Sequence, residues 1–151
     1  FPLDRLLPRL KFHRDFAAGR VLAQCMADRL AALPRPGAMV PIPLHRARLR
    51  HRGYDQALEL ARPLARALGI PLVDRALGRR TATRAQSRLD ADARRRNLRD
   101  AFHVDAGIPL PPHVVLVDDV MTTGATLHAA AGVLHRAGVA RVDAWVCARV
   151  A

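Results

Sequence analysis

The sequence predicts an α/β domain built on a doubly wound parallel sheet, and three observations carry the prediction. Helical and extended patterns alternate along the chain, which favours parallel strands joined by crossover helices. The run Val114-Val-Leu-Val117 is continuously apolar and mostly β-branched, as in a strand covered on both faces. Leu58, Leu60, Ala61, Leu64, Ala65 and Leu68 recur at helical spacing, and Gly69 stands where a C-cap belongs. At 151 residues the chain suffices for one such domain and falls short of two.

From the N-terminus, Leu3, Leu6, Leu7 and Leu10 outline a helix in which Pro8 predicts a kink or break. A second helical pattern runs from Phe16 to Leu33 and is ended by Pro34, Pro36 and Gly37. Residues 1–38 thus read as a helical segment packing on a main unit of residues 39–151. Met39 to Pro43 reads as a buried strand feeding a basic turn. Pro63 predicts a bend in the helix from Gln56 to Leu68. A short strand is expected at Pro71 to Val73, and Gly78 to Arg99 reads as an exposed polar arm, helical in part from Asp90. Phe102 to Val104 reads as a strand and Gly107 to Pro112 as a turn-rich connection. A helix from Thr126 to Arg136, stopped by Gly138, leads to a closing strand at Arg141 to Val150.

Half of the residues are hydrophobic and a quarter are charged, a balance typical of globular domains. No apolar run approaches the roughly 20 residues of a membrane span. Arg5, Arg9, Lys11 and Arg14 interrupt the opening apolar residues, unlike a signal peptide. Cys25 and Cys147, 122 positions apart, make neither a disulfide framework nor a zinc pair; they read as small core residues of a cytoplasmic protein.

The net charge of +12 is unevenly spread, with 15 arginines against five acids between Arg46 and Arg99. Such a field attracts a pyrophosphate, a nucleotide or a nucleic acid backbone. Arg46, Arg48, Arg50 and Arg52 alternate, and in an extended loop they would face one anion together. Lys11 is the single lysine beside 24 arginines, which suggests a position that requires a compact ammonium.

The densest chemistry lies at Asp118-Asp-Val-Met-Thr-Thr-Gly-Ala-Thr126. A strand expected to end at Val117 delivers two carboxylates to the carboxyl edge of the sheet, where open α/β folds bind ligands. Thr122, Thr123, Gly124, Ala125 and Thr126 then form the mouth of a helix, whose free N–H groups and positive dipole end suit a phosphate. Acids beside a phosphate make sense when a sugar lies between them: Asp118 and Asp119 accept from ribose hydroxyls while the loop holds the 5′-phosphate. Neither a Walker loop nor a dinucleotide fingerprint is present.

The stretch from Val115 to Thr126 resembles the phosphoribosyl pyrophosphate signature of type I phosphoribosyltransferases. Val40 to Gln56, and Thr83-Arg-Ala-Gln86 with Leu89, Arg94, Asn97 and Phe102, resemble the ComF family of competence-related proteins. The resemblance implies a type I phosphoribosyltransferase-like sheet with helices on both faces and a small helical or irregular hood. It implies phosphoribosyl pyrophosphate or a nucleotide phosphate as ligand, with Mg²⁺ bridged through substrate oxygens and no direct protein ligand to the metal. Asp118 and Asp119 would be the catalytic acids and ribose partners. Arg46, Arg48, Arg52, Arg80 and Arg94 would serve the pyrophosphate, Arg80 and Arg94 from a lid. The family also implies DNA uptake in natural transformation, with single-stranded DNA and competence proteins as partners. Active transfer to a nucleobase or amine is the alternative reading. Position 55 is Asp where the family usually has Asn, and no four-cysteine zinc segment is present.

Overall fold

The computed structural model describes residues 3–80, 96 and 99–150. Three strands, β1 (Ala38–Pro41), β4 (His113–Met121) and β5 (Arg141–Arg149), form a parallel sheet in the order β1-β4-β5. On the far side of β1, Leu72 makes one parallel bridge to Met39, which is all that forms of the strand expected at Pro71 to Val73. The chain therefore leaves β1 in one lateral direction and later returns on the other side as β4. That reversal is a topological switch point.

Helices cover both faces, as the alternating pattern predicts. On one face lie α1 (Leu3–His13), α2 (Phe16–Leu30) and α4 (Gln56–Leu68). They bury Leu10, Leu22, Leu60 and Leu64 against Met39, Val115, Val117 and Trp145. On the other lies α5 (Ala125–Arg136), whose Leu127, Ala130 and Leu134 pack on Val40, Val114 and Leu116. The division follows from the strand period of two, which sends alternate residues of β4 to opposite faces. Fully burying a leucine such as Leu60 or Leu134 contributes about 1.5–3 kcal/mol.

Several expectations are corrected. Both α1 and α4 run on through their prolines, Pro8 and Pro63, so there is no break at Pro8. A proline inside a helix costs about 3 kcal/mol, which burial of Leu60 and Leu64 on either side of Pro63 offsets. The described part of the hood includes a two-stranded antiparallel pair, β2 (Leu77–Arg79) with β3 (Phe102–Val104). Phe102 to Val104 thus leaves the main sheet, because Leu77 and Phe102 bury together in the core beside α5. Cys25 is exposed, not a core residue.

The basic turn is likewise not extended: Arg46–Arg52 forms a short helix, α3. The His45 side chain accepts from the Ala47 N–H at its start, and Gly53 ends it at φ 80°. Arg, Ala and Leu are good helix formers, and left-handed Gly is a common stop. Among the described residues no helix is long and apolar enough to cross a membrane.

Candidate functional site

The site begins where two neighbouring strands differ in length. The β1–β4 pairing ends at Pro41 opposite Val117, after which the Ile42 N–H donates to the Val117 carbonyl at 2.9 Å. Strand β4 continues to Met121 with β5 as its only partner among the described residues, Asp118 facing Val146 and Val120 facing Ala148. The acids therefore lie within the strand, not beyond its end as the sequence suggested, because β5 supplies a ladder that carries it on. A crevice opens beside Asp118 at the switch point, on the carboxyl edge of the sheet.

Position within a strand separates the two acids. Asp118 continues the row of Val114 and Leu116 and faces the α5 side; Asp119 continues the row of Val115 and Val117 and faces the side of α1, α2 and α4. Asp119 is 5% exposed. Asp118 Oδ1 accepts from the Asp119 N–H at 2.8 Å, and Asp119 Oδ1 accepts from the Val120 N–H at 2.9 Å. Burial, with the charges of Asp119 and Asp55 behind it, pushes the Asp118 carboxyl up to about 7.

The loop after β4 closes the other side. Gly124, at φ 80°, is the N-cap of α5 and provides no side-chain cap bond. That backbone conformation favours glycine. The first-turn N–H groups of α5 face the loop; Thr123 Oγ1 accepts one of them, from Ala125, at 3.3 Å. Asp118, Val120, Met121, Thr122, Thr123, Gly124, Ala125, Thr126 and Leu127 line a cavity of about 50 Å³. The structure thus brings Asp118 and the whole of Thr122 to Thr126 together and places Asp119 on the far side of the strand. A larger cavity, about 560 Å³, opens beside Gly69 to Leu72 at the end of α4, away from these acids.

Helical α3 redistributes its arginines. Residues four apart share a face, so Arg48 pairs with Arg52 and Arg46 with Arg50. Arg52 Nη1 donates to the Gln56 Oε1 at 2.6 Å, while Arg46 and Arg48 are exposed. Asp55 accepts from the N–H groups of Leu44, Ala57 and Leu58 at 3.0, 3.0 and 3.3 Å. It caps α4 and ties down the turn after β1, a task for carboxylate oxygens that uses no amide donor. Its own carboxyl is raised, first by burial.

Arg79, on the hood, is the residue the sequence reading missed. Its guanidinium carbon lies 5.3 Å from the centre of the Phe102 ring, and its Nε is buried without a hydrogen-bond partner. Burial, then the charge of Arg48, lowers its pKa, and the charge of Asp118 opposes them. Arg79 therefore lies near both. Arg80, chosen from sequence, is exposed, and its backbone N–H donates to the Ala101 carbonyl at 2.8 Å. The missed signal was local: in a strand anchored by buried Leu77, residue 79 shares its face and residue 80 does not. Arg94, with Thr83, Gln86 and Asn97, lies outside the described residues. Among the described residues no three His, Cys, Asp or Glu side chains are grouped to hold a metal ion.

A parallel sheet with an acid pair and an open helix mouth at its switch point defines a phosphoribosyltransferase-type domain. Residues 55–151 match the family described as Phosphoribosyl transferase domain, and the chain belongs to that family. Within it the chain is a ComF-type, phosphoribosyltransferase-like protein. It is 38% identical over 156 residues to Competence protein F of Haemophilus influenzae, covering 98% of this chain and 68% of that protein. It is 36% identical over 154 residues to the DNA utilization protein YhgH of Escherichia coli K12, covering 98% and 67%. Competence protein ComFC of Streptococcus pneumoniae is 29% identical over 141 residues, covering 93% and 60%. The fold is similar to that of a solved structure described as the allosteric regulatory enzyme of purine biosynthesis. That match has a TM-score of 0.61 and 21% identity, covering 87% of this chain and 26% of that one.

Proposed function

We propose that this chain binds phosphoribosyl pyrophosphate, or a related ribose 5′-phosphate, with Mg²⁺, and acts in DNA uptake and utilisation. One observation carries the ligand reading: Asp118 and the open N-terminus of α5 line the same small cavity beside the switch point. The helix mouth and Thr122 to Thr126 take the 5′-phosphate, and Asp118 accepts from a ribose hydroxyl, with Asp119 on the opposite face of the same strand edge. Arg79, with the charge of Arg48 acting on it, supplies a cation close enough to Asp118 to serve the pyrophosphate. Mg²⁺, a hard cation, would be carried by the ligand's own oxygens, leaving the carboxylates of Asp118 and Asp119 for the ribose hydroxyls. When bound, the ion would neutralise departing pyrophosphate charge.

The DNA role rests on the names of the relatives, Competence protein F and DNA utilization protein, and on the basic Arg46–Arg99 stretch. Contact with single-stranded DNA would be electrostatic and would weaken steeply with added salt. Transfer of the phosphoribosyl group to a nucleobase or amine is the second reading; positioning and charge neutralisation are its main requirements, and Arg79 on the hood favours it.

Calorimetry tests the ligand reading directly. Wild type binds phosphoribosyl pyrophosphate with Mg²⁺, and Asp118→Ala/Asp119→Ala does not; equal heats from both proteins would reject the site. Pyrophosphate release with a panel of bases and amines tests turnover.

A further inference from the structure

We infer that Lys11, on the N-terminal helix, is a positioning residue of the phosphoribosyl site, its ammonium holding the Asp119 carboxylate ready for a ligand hydroxyl. The inference rests on the proposed function for its ligand, and on three independent observations for its geometry.

The first is the ion pair. Lys11 Nζ lies 3.9 Å from Asp119 Oδ2, with the lysine side chain 37% exposed and the aspartate 8%. A carboxylate so buried is costly without a neighbouring cation. Among the described residues Lys11 is the one cation at ion-pair distance from it. The titratable groups facing Asp119 are Asp118 on β4, Asp55 before α4, Cys147 on β5 and Lys11 on α1. All but Lys11 are acids, and the charge of Asp119 contributes to raising each of them.

The second observation is that the end of α1 is fastened in place. The hydroxyl of Tyr54, a residue 6% exposed, lies 2.6 Å from the Leu10 carbonyl and 2.7 Å from the Lys11 carbonyl, so one proton serves both. Phe16 meets the Tyr54 ring edge-on at 5.6 Å, and the Arg14 guanidinium lies 5.7 Å from its centre. Tyr54 sits between α3 and Asp55. The latch thus joins the helix carrying Lys11 to the basic helix and to the cap of α4.

The third is the residue type. With 24 arginines in the chain, position 11 carries its one lysine, and a compact ammonium fits beside a buried carboxylate where a planar guanidinium is bulkier. Lys11 also lies outside residues 55–151, the stretch that matches the family. The N-terminal segment therefore contributes a group to the site.

The test compares wild type, Lys11→Met and Lys11→Arg by calorimetry with phosphoribosyl pyrophosphate and Mg²⁺ from pH 5.5 to 8.5. Lys11→Met should bind at least tenfold more weakly at neutral pH, with its binding midpoint moved upward by about one pH unit as acids lose a neighbouring cation. Lys11→Arg, which keeps the charge, should restore the midpoint. Wild-type affinity and midpoint in Lys11→Met would overturn the inference. A purely structural role would lower the melting temperature and leave the midpoint in place, which also overturns it. Lys11→Gln substitutes should Lys11→Met fold poorly. If wild type itself binds nothing, the proposed ligand is wrong. The inference is then read from the NMR-detected carboxyl titration of the acid pair in the free protein: an upward move in Lys11→Met supports it, and none rejects it.

Discussion

Replacing Asp118 by Asn should make the protein more stable at slightly alkaline pH while abolishing its ligand affinity. In the folded chain the Asp118 carboxyl sits at about 7, against an ordinary 3.8, with burial as the first cause and Asp119 as the second. The folded state therefore holds this proton more tightly than the unfolded chain does. Stability falls as pH rises from about 4 towards 7, and the whole penalty is present above that. Moving a carboxyl from 3.8 to about 7 corresponds to about 4 kcal/mol as an upper limit, a sizeable share of a typical 5–15 kcal/mol. Asparagine is uncharged and its oxygen can still accept from the Asp119 N–H. Recovery of about half that limit, roughly 2 kcal/mol, would shift a urea midpoint by about 1 M for a protein of this size. Urea titrations at pH 5 and pH 8 measure it. The variant should gain most at pH 8 and less than half as much at pH 5, because the penalty builds up between the unfolded and folded pKa values. A variant no more stable than wild type at pH 8, or one with the same difference at both pH values, would refute the reasoning.

Gly124→Ala should cost about 1–2 kcal/mol, because a side chain is forced to adopt φ 80°; thermal unfolding reads the cost, and calorimetry should show weaker phosphate binding. Arg79→Met should leave stability unchanged or slightly higher, since it removes a buried, unpartnered Nε and keeps an apolar stem on Phe102. The same variant should bind phosphoribosyl pyrophosphate about tenfold or more weakly, and undiminished binding would remove Arg79 from the site.

Legibility differed between elements for physical reasons. Helix α4 is legible at its observed bounds because Leu60, Ala61, Leu64 and Ala65 repeat along one buried face and Gly69 stops it. The phosphate loop was legible because its chemistry is local: a strand, two acids and a glycine before a helix. The length of β4 was not, since Asp118 to Met121 stay extended only by pairing with β5, some 28 residues later in the chain. Nor was α3, whose alternating arginines suggested a strand period. Helix propensity and Gly53 were the better guides, and a seven-residue helix held by its surroundings has too few turns to show a face. The hood was obscured by its separation, because β2 and β3 stand more than 20 residues apart in sequence. The link between Lys11 and Asp119 crosses over 100 positions, and composition alone could mark the lysine without naming its partner.

The one-residue offset between Asp118 and Asp119 also governs the size of what the site can grasp. Consecutive side chains of a strand leave on opposite faces, although the Asp118 carboxylate turns back onto the Asp119 N–H. A lone phosphate could settle in the mouth of α5 and touch Asp118, leaving Asp119 unengaged. On the proposed reading, a molecule broad enough to arch over the rim of the strand would meet both acids at once, and selection would work through span as well as through charge.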